Sequence, residues 1–184
     1  MRRRDRQLSE DEALKIIDES EYATLSCVDE SGEIFSVPIS PVRDANAIYI
    51  HGAPAGTKAK LFQNGRVVTA VFVSYNRVPT PSDEEYRSIA NDAAALGSRV
   101  YTTEYRSAIA VCEANEVLDD ERKIYALRIL CEKYTPNYMS RVEFASKASL
   151  KRTKVYELKI KSVTGSTLSV ITQTRFFIVC PKRK

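Results

Sequence analysis

A chain of 184 residues, 43% apolar and 28% charged, has the length and composition of one folded domain that needs no disulfide or metal to hold a core. That balance excludes wholesale disorder and a fibrous repeat. The net charge of +4 is gathered largely in Arg2, Arg3, Arg4 and Arg6 and in Lys182, Arg183 and Lys184, two solvated ends rather than a basic stripe interleaved with aromatics, so no nucleic-acid partner is expected.

No run approaches the roughly 18 apolar residues of a spanning helix, and the basic N-terminal cluster leads into a polar helix rather than an apolar signal core. No membrane partner and a cytoplasmic location are therefore expected. Cys27, Cys112, Cys131 and Cys180 are scattered, with no C-x-x-C pair and a single histidine in the chain to join them, so no metal site is expected. Three of the four lie in apolar stretches, as reduced core thiols do.

In chain order, Ser9 and Glu12 form a capping box that opens a helix over residues 9–20, with Ala13, Leu14, Ile16 and Ile17 on one stripe. Residues 22–28 and 33–40 read as strands joined at Asp29-Glu30-Ser31-Gly32, a β-hairpin. Residues 41–46 read as a turn and 47–51 as a short strand ending at Gly52. Residues 57–64 have helical composition, with Thr57 as the expected N-cap. The β-branched run at 66–75 predicts a central strand. Ser82 and Glu85 form a second capping box, opening a polar helix to about Leu96 within an apparent insertion at 76–103.

Residues 105–118 return to a β pattern. Asp119 and Asp120 then cap a helix with Ile124, Leu127, Cys131 and Tyr134 on one face, stopped at Pro136. Residues 137–150 read as helical and 153–160 as a strand. Gly165 is read as the start of a tail that contains Ile171, Phe176, Phe177, Ile178 and Val179. Six strands joined mainly by hairpins predict a mainly β (α+β) fold, an antiparallel barrel with peripheral helices.

The most informative segment runs from Ile48 to Lys58. Gly52 and Gly56 allow close backbone approach, a helix start offers free N–H groups, and Lys58 adds a charge, a combination suited to an anion. A nucleotide P-loop is excluded, because three residues rather than four separate the glycines and Thr57 precedes Lys58. Spacing alone is equally compatible with a plain glycine turn beside an exposed lysine.

Tyr49-x-His51-Gly52-Ala53, followed by Gly56-x-Lys58, resembles the motif of the pyridoxamine-phosphate-oxidase-related, nitroimidazole-resistance-like family that binds flavin mononucleotide (FMN). Other pieces agree in order: the Arg-rich start before Leu8-Ser9, Leu25-Ser26 before the hairpin turn, Val37-Pro38-Ile39, Tyr105-Arg106-Ser107-Ala108, and residues 130–136. The resemblance covers roughly residues 1–160. It implies a six-stranded, FMN-binding split β-barrel over residues 1–164, interrupted by the insertion, with 165–184 as an extension.

The resemblance also implies a homodimer holding FMN at its interface. His51, Gly52, Ala53, Gly56, Thr57 and Lys58 would hold phosphate and ribityl groups, Val37, Pro38 and Ile39 would lie along the isoalloxazine, and Ser107 would touch the cofactor. His51 reads as a pocket-lining residue with a catalytic acid/base role as the further candidate, beside the plain reading of a hydrogen-bonded structural histidine. Arg106 reads either as an edge residue or as a cofactor contact. Tyr49, Tyr75, Tyr101 and Tyr105 read as packing residues that could also stack on a flavin.

The function expected is a flavin oxidoreductase passing electrons from NAD(P)H to a small acceptor such as a nitroaromatic. The donor would bind transiently, since no dinucleotide-binding G-x-G-x-x-G is present. The alternative is a non-catalytic split-barrel module that binds FMN, or haem with His51 as axial ligand.

Overall fold

The computed structural model describes residues 3–170. Among them, eight strands form one antiparallel sheet in the order β3-β2-β6-β7-β8-β5-β4, with the two-residue β1 also paired to β8. In chain order these are β1 (Gln7–Leu8), α1 (Glu10–Glu19), β2 (Ala23–Val28), β3 (Ile34–Ile39), β4 (Val42–Asp44), β5 (Ala47–Gly52), α2 (Thr57–Leu61) and β6 (Arg66–Arg77). Then follow α3 (Asp83–Ile89), α4 (Ala93–Arg99), β7 (Glu104–Glu116), α5 (Asp120–Tyr134), α6 (Val142–Ser149) and β8 (Lys154–Leu168).

The sheet curls into a split barrel with β3 and β4 at its two unpaired ends. Register shifts at Val73/Tyr75 in β6 and at Val111/Cys112 in β7 bend the long strands, as bulges do. Alternation fills the interior: Val68, Ala70 and Phe72 from β6, Ala108, Ala110, Cys112 and Ala114 from β7, and Tyr156 and Leu158 from β8 are all buried. The small residues of β7 leave room for Ile16 and Ile17 of α1. A second, smaller cluster on the outer side packs Ala126 and Leu130 of α5 against Tyr49 and Val155.

Both capping boxes form as expected, at Ser9/Glu12 and Ser82/Glu85. Several boundaries differ from the sequence reading. The strand count is eight rather than six, because β1 and β4 gain strand geometry only from pairing with β8 and β5. Gly56, at φ +103°, rather than Thr57, caps α2, a conformation that favours glycine. The helix expected from Ser82 to Leu96 is two helices, α4 being recapped by Asp92. The fully buried positions of α5 are Ala126 and Leu130, so the face is rotated from the expected stripe. Residues 136–141 are 3-10 turns before α6.

Gly165 does not begin a tail. It lies inside β8, paired with Ala108 and Leu8, where a Cβ would stand 2.9 Å from Cβ of Ala13. Its lack of a side chain is what lets α1 pack onto β8. The expectations for Arg2, Ile171, Phe176, Phe177, Ile178, Val179, Cys180, Lys182, Arg183 and Lys184 lie outside the described residues.

Candidate functional site

The β2–β3 hairpin ends at the pair Ala23/Ile39, which sets Tyr22 and Ser40 side by side just beyond it. On the other side, β5 ends at the pair Gly52/Lys154, which sets His51, Gly52 and Ala53 beside Arg152 and Thr153. Between these two strand ends lies an open cleft of about 620 Å³, and Lys58 reaches into it from α2.

Of the residues singled out in the sequence, Pro38, Ile39, His51, Gly52, Ala53 and Lys58 line this cleft together. Val37 faces the other way and packs on the core. Gly56 and Thr57 lie at the exposed start of α2 and do not line it. Ser107 pairs with Val73 and Ser166 and is not among the residues that line the cleft. Arg106 pairs with Glu19 at 3.2 Å, and the hydroxyls of Tyr49, Tyr75 and Tyr105 bond Glu157, Glu104 and Ser166.

The charge in the cleft comes from side chains. α2 has only five residues and no side-chain cap, so its dipole is small. Lys58 and Arg152 both face the cleft, and neither has an ion-pair partner among the described residues. A third nearby cation, Lys154, is committed to Glu116 at 2.6 Å. Gly52 provides the space for this arrangement: a Cβ there would lie 3.2 Å from both Cε and Nζ of Lys58.

His51 is accessible, yet its ring loses part of its hydration to neighbouring protein, and that loss together with the Lys58 ammonium pulls its pKa below the ordinary imidazole value. Its neutral form is thus favoured at neutral pH. Tyr156 is fully buried beneath Gly52, with Cε2 3.8 Å from the site of a Gly52 Cβ. Burial, with a smaller contribution from Glu116, pushes its phenol up to about 12, so it remains a donor. Its Oη has no hydrogen-bond partner among the described residues.

The rim is tied down by the end of α5. Lys133 Nζ donates to Ser20 O at 2.7 Å and Pro41 O at 3.0 Å, and Tyr134 Oη lies 2.8 Å from both Glu21 O and Pro41 O. These carbonyls flank Tyr22 and Ser40. Sequence reasoning missed Tyr22, Ser40, Arg152, Thr153 and Tyr156. Extending the hairpin register by one pair would have found the first two; no local signal marks the rest.

The outer face of β3, β2, β6 and β7 carries exposed apolar side chains interleaved with serines and threonines. Pro38, Thr24, Val71 and Ile109 form one row across the four strands, and Ser36, Ser26, Thr69 and Val111 the next. Ile34 is 76% and Val67 61% exposed beside them. Pro38 belongs both to this face and to the cleft.

The family model for pyridoxamine 5′-phosphate oxidase matches residues 9–91 and 90–167. No curated protein matches the chain. Among solved structures, a candidate 5-nitroimidazole antibiotic resistance protein from Bacteroides thetaiotaomicron is similar over 88% of this chain and 86% of its own, at 20% identity and a TM-score of 0.64. The flavocytochrome Anf3 from Azotobacter vinelandii covers 88% of this chain and 68% of its own, at 17% identity and 0.68. An FAD and heme binding protein from Mycobacterium smegmatis covers 90% and 74%, at 17% identity and 0.66. At these identities the likeness speaks to the fold.

Proposed function

The chain belongs to the pyridoxamine 5′-phosphate oxidase family, and from that membership we propose that its cleft binds FMN and that the protein is a flavin-dependent oxidoreductase. The observation that carries the reading is the pair Lys58 and Arg152, two cations without carboxylate partners among the described residues that face one cleft. A phosphate dianion supplies the missing charge and accepts charge-assisted hydrogen bonds from both.

The residues fit such a ligand in three further respects. Gly52 leaves open the space that a Cβ would fill beside Lys58. The ring edge of Tyr156, with Cε2 3.8 Å from that position, forms its floor. Pro38, Ile39 and Tyr22 offer an apolar and aromatic wall at the opposite end for a flat ring system. A bound flavin supplies hydride and single-electron chemistry. The chain's own residues bind and orient: Lys58 and Arg152 hold the phosphate, the wall at Pro38 and Ile39 excludes water, and neutral His51 offers a hydrogen bond without adding charge.

NAD(P)H as a transient donor and a small nitroaromatic acceptor complete the reading. A second copy of the chain on the apolar β3-β2-β6-β7 face would reach the cleft at Pro38, in keeping with a site shared between subunits. Buried, reduced Cys27 and Cys112 suit a cytoplasmic setting.

The test is uptake of FMN by flavin-free protein, read as quenching of flavin fluorescence, followed by anaerobic reduction with NADH or NADPH and reoxidation by a nitroaromatic. Stoichiometric uptake and turnover are expected. Failure to take up FMN overturns the reading; uptake without turnover reduces it to a binding module.

A further inference from the structure

The segment 76–103, expected as an insertion, encloses a pocket of its own. β6 and β7 run on together beyond the last β2–β6 pair, Ala23/Phe72, and after the shift at Val73/Tyr75 they stay paired as far as Arg77/Glu104. Pro79 and Pro81 restrict the chain that leaves β6. The Ser82/Glu85 box then starts α3, Asp92 recaps α4, and the last turn of α4 carries Arg99 to the same pocket as Arg77. The pocket holds about 370 Å³ and shares no lining residue with the cleft.

Arg77 and Arg99 line it from a strand end and a helix end, and neither has an ion-pair partner among the described residues. Two carboxylates line it as well, but neutral donors engage them. Glu85 accepts from Ser82 N at 2.8 Å and Ser82 Oγ at 3.1 Å, and Glu104 accepts from Tyr75 Oη at 3.2 Å and Val170 N at 2.7 Å. The Thr80 hydroxyl adds a donor with no partner among the described residues. Two guanidinium forks that face one space repel each other, and a doubly charged anion between them offsets that repulsion while taking paired N–H bonds from each. Ile89 gives the pocket an apolar patch against which a short carbon chain can lie.

We propose that the insertion pocket binds a small organic dianion, a dicarboxylate or a phosphate monoester, held by the forks of Arg77 and Arg99 with Thr80 as an added donor. The pocket is separate from the cleft, so this ligand is bound independently of the flavin.

The experiment is calorimetric titration of the full chain carrying Lys58→Ala, which weakens the cleft as a competing anion site, alone and with Arg77→Gln or Arg99→Gln added. The probes are succinate, glycerol phosphate and the monoanion acetate, at constant ionic strength. Expected are saturable binding of at least one dianion with a Kd on the order of 1 mM or tighter, acetate binding about tenfold or more weaker, and a loss of about tenfold or more with either arginine substitution. Whichever dianion binds more tightly identifies the class. Arg99→Lys keeps the charge without the fork and should retain part of the affinity.

Both arginines are exposed, so each variant should melt close to its parent without ligand, and if one fails to fold the other carries the test. No saturable binding of either dianion, acetate bound as tightly as the dianions, or affinity indifferent to either arginine overturns the proposal. FMN uptake plays no part in this readout, so the proposal and the flavin reading fail separately.

Discussion

The ammonium of Lys58 lies over Gly52, so close that a Cβ on that residue would stand 3.2 Å from both Cε and Nζ. The obstructing atoms are the far end of a flexible side chain, and the next neighbour, Tyr156 Cε2, is at an ordinary 3.8 Å. Gly52→Ala is therefore expected to fold with a thermal midpoint close to wild type while displacing the ammonium. FMN affinity should fall several-fold. Unchanged affinity, or loss of the fold, would show that the space at Gly52 serves something other than the placement of this charge.

On the proposed flavin reading, Lys58→Ala removes one of two charge-assisted contacts to the phosphate, each worth on the order of 1.5–3 kcal/mol, so FMN binding should weaken roughly tenfold to a hundredfold. Lys58→Arg should be only partly tolerated, since a planar fork replaces a compact ammonium. Arg152→Ala should behave like Lys58→Ala. Riboflavin, lacking the phosphate, is the control and should be nearly indifferent to all three. Equal losses for FMN and riboflavin would move the phosphate away from this end of the cleft.

The parts of the fold that were legible in the sequence are those specified locally. Ser9/Glu12 and Ser82/Glu85 write their own helix starts, and the β2–β3 hairpin follows from its turn and alternation. What escaped depends on partners far along the chain. Residues 42–44 have turn composition and extend only because β5 pairs with them. Gly165 carries the signal of a break, yet it is a point of close approach for Ala13. The cleft was half legible, because Gly52 to Lys58 is one contiguous motif. Tyr22 and Arg152 join it through the curl of the sheet, which no local pattern encodes.

The lowered pKa of His51 makes stability depend on pH. Loss of hydration, then the Lys58 charge, disfavours its protonation in the folded chain. The unfolded chain binds the proton more readily, so stability is lost as pH falls through the ordinary histidine value near 6.5 and is fully present above it. His51→Gln should flatten that part of the profile. Between about pH 8 and about pH 5 the thermal midpoint of the wild type should fall relative to that of His51→Gln. A constant difference across the range would mean that the folded chain does not resist protonation at His51.

The Lys133 and Tyr134 contacts predict a split between the two ends of the cleft. Tyr134→Phe removes a hydroxyl shared by Glu21 O and Pro41 O, at a cost of about 0.5–1.5 kcal/mol. Lys133→Met leaves Ser20 O without that donor, while Pro41 O retains Tyr134. Both changes loosen the segments that carry Tyr22 and Ser40 and leave Lys58 and Arg152 in place. Riboflavin and FMN should therefore weaken by similar factors, unlike the pattern for Lys58→Ala. A loss confined to FMN would place the effect at the phosphate end and contradict this role.

The apolar face of β3, β2, β6 and β7 leads to the last prediction. Exposed apolar side chains gathered on one face mark interaction surfaces, and here Ile34, Val67, Val71 and Ile109 are all exposed on one face, interleaved with Ser26, Ser36 and Thr69. A second copy seated on that face would bury the patch and adjoin the cleft at Pro38. Light scattering of the wild type across dilutions should report a dimer. Val71→Asp or Ile109→Asp places a charge where each copy would meet the other, and burying it without a partner is costly. Either variant should shift toward monomer while keeping its fold, because both side chains point away from the core. FMN affinity should fall together with dimerisation. A wild-type monomer that retains FMN would confine the flavin site to one chain, and a monomeric variant with undiminished affinity would separate the apolar face from the cleft.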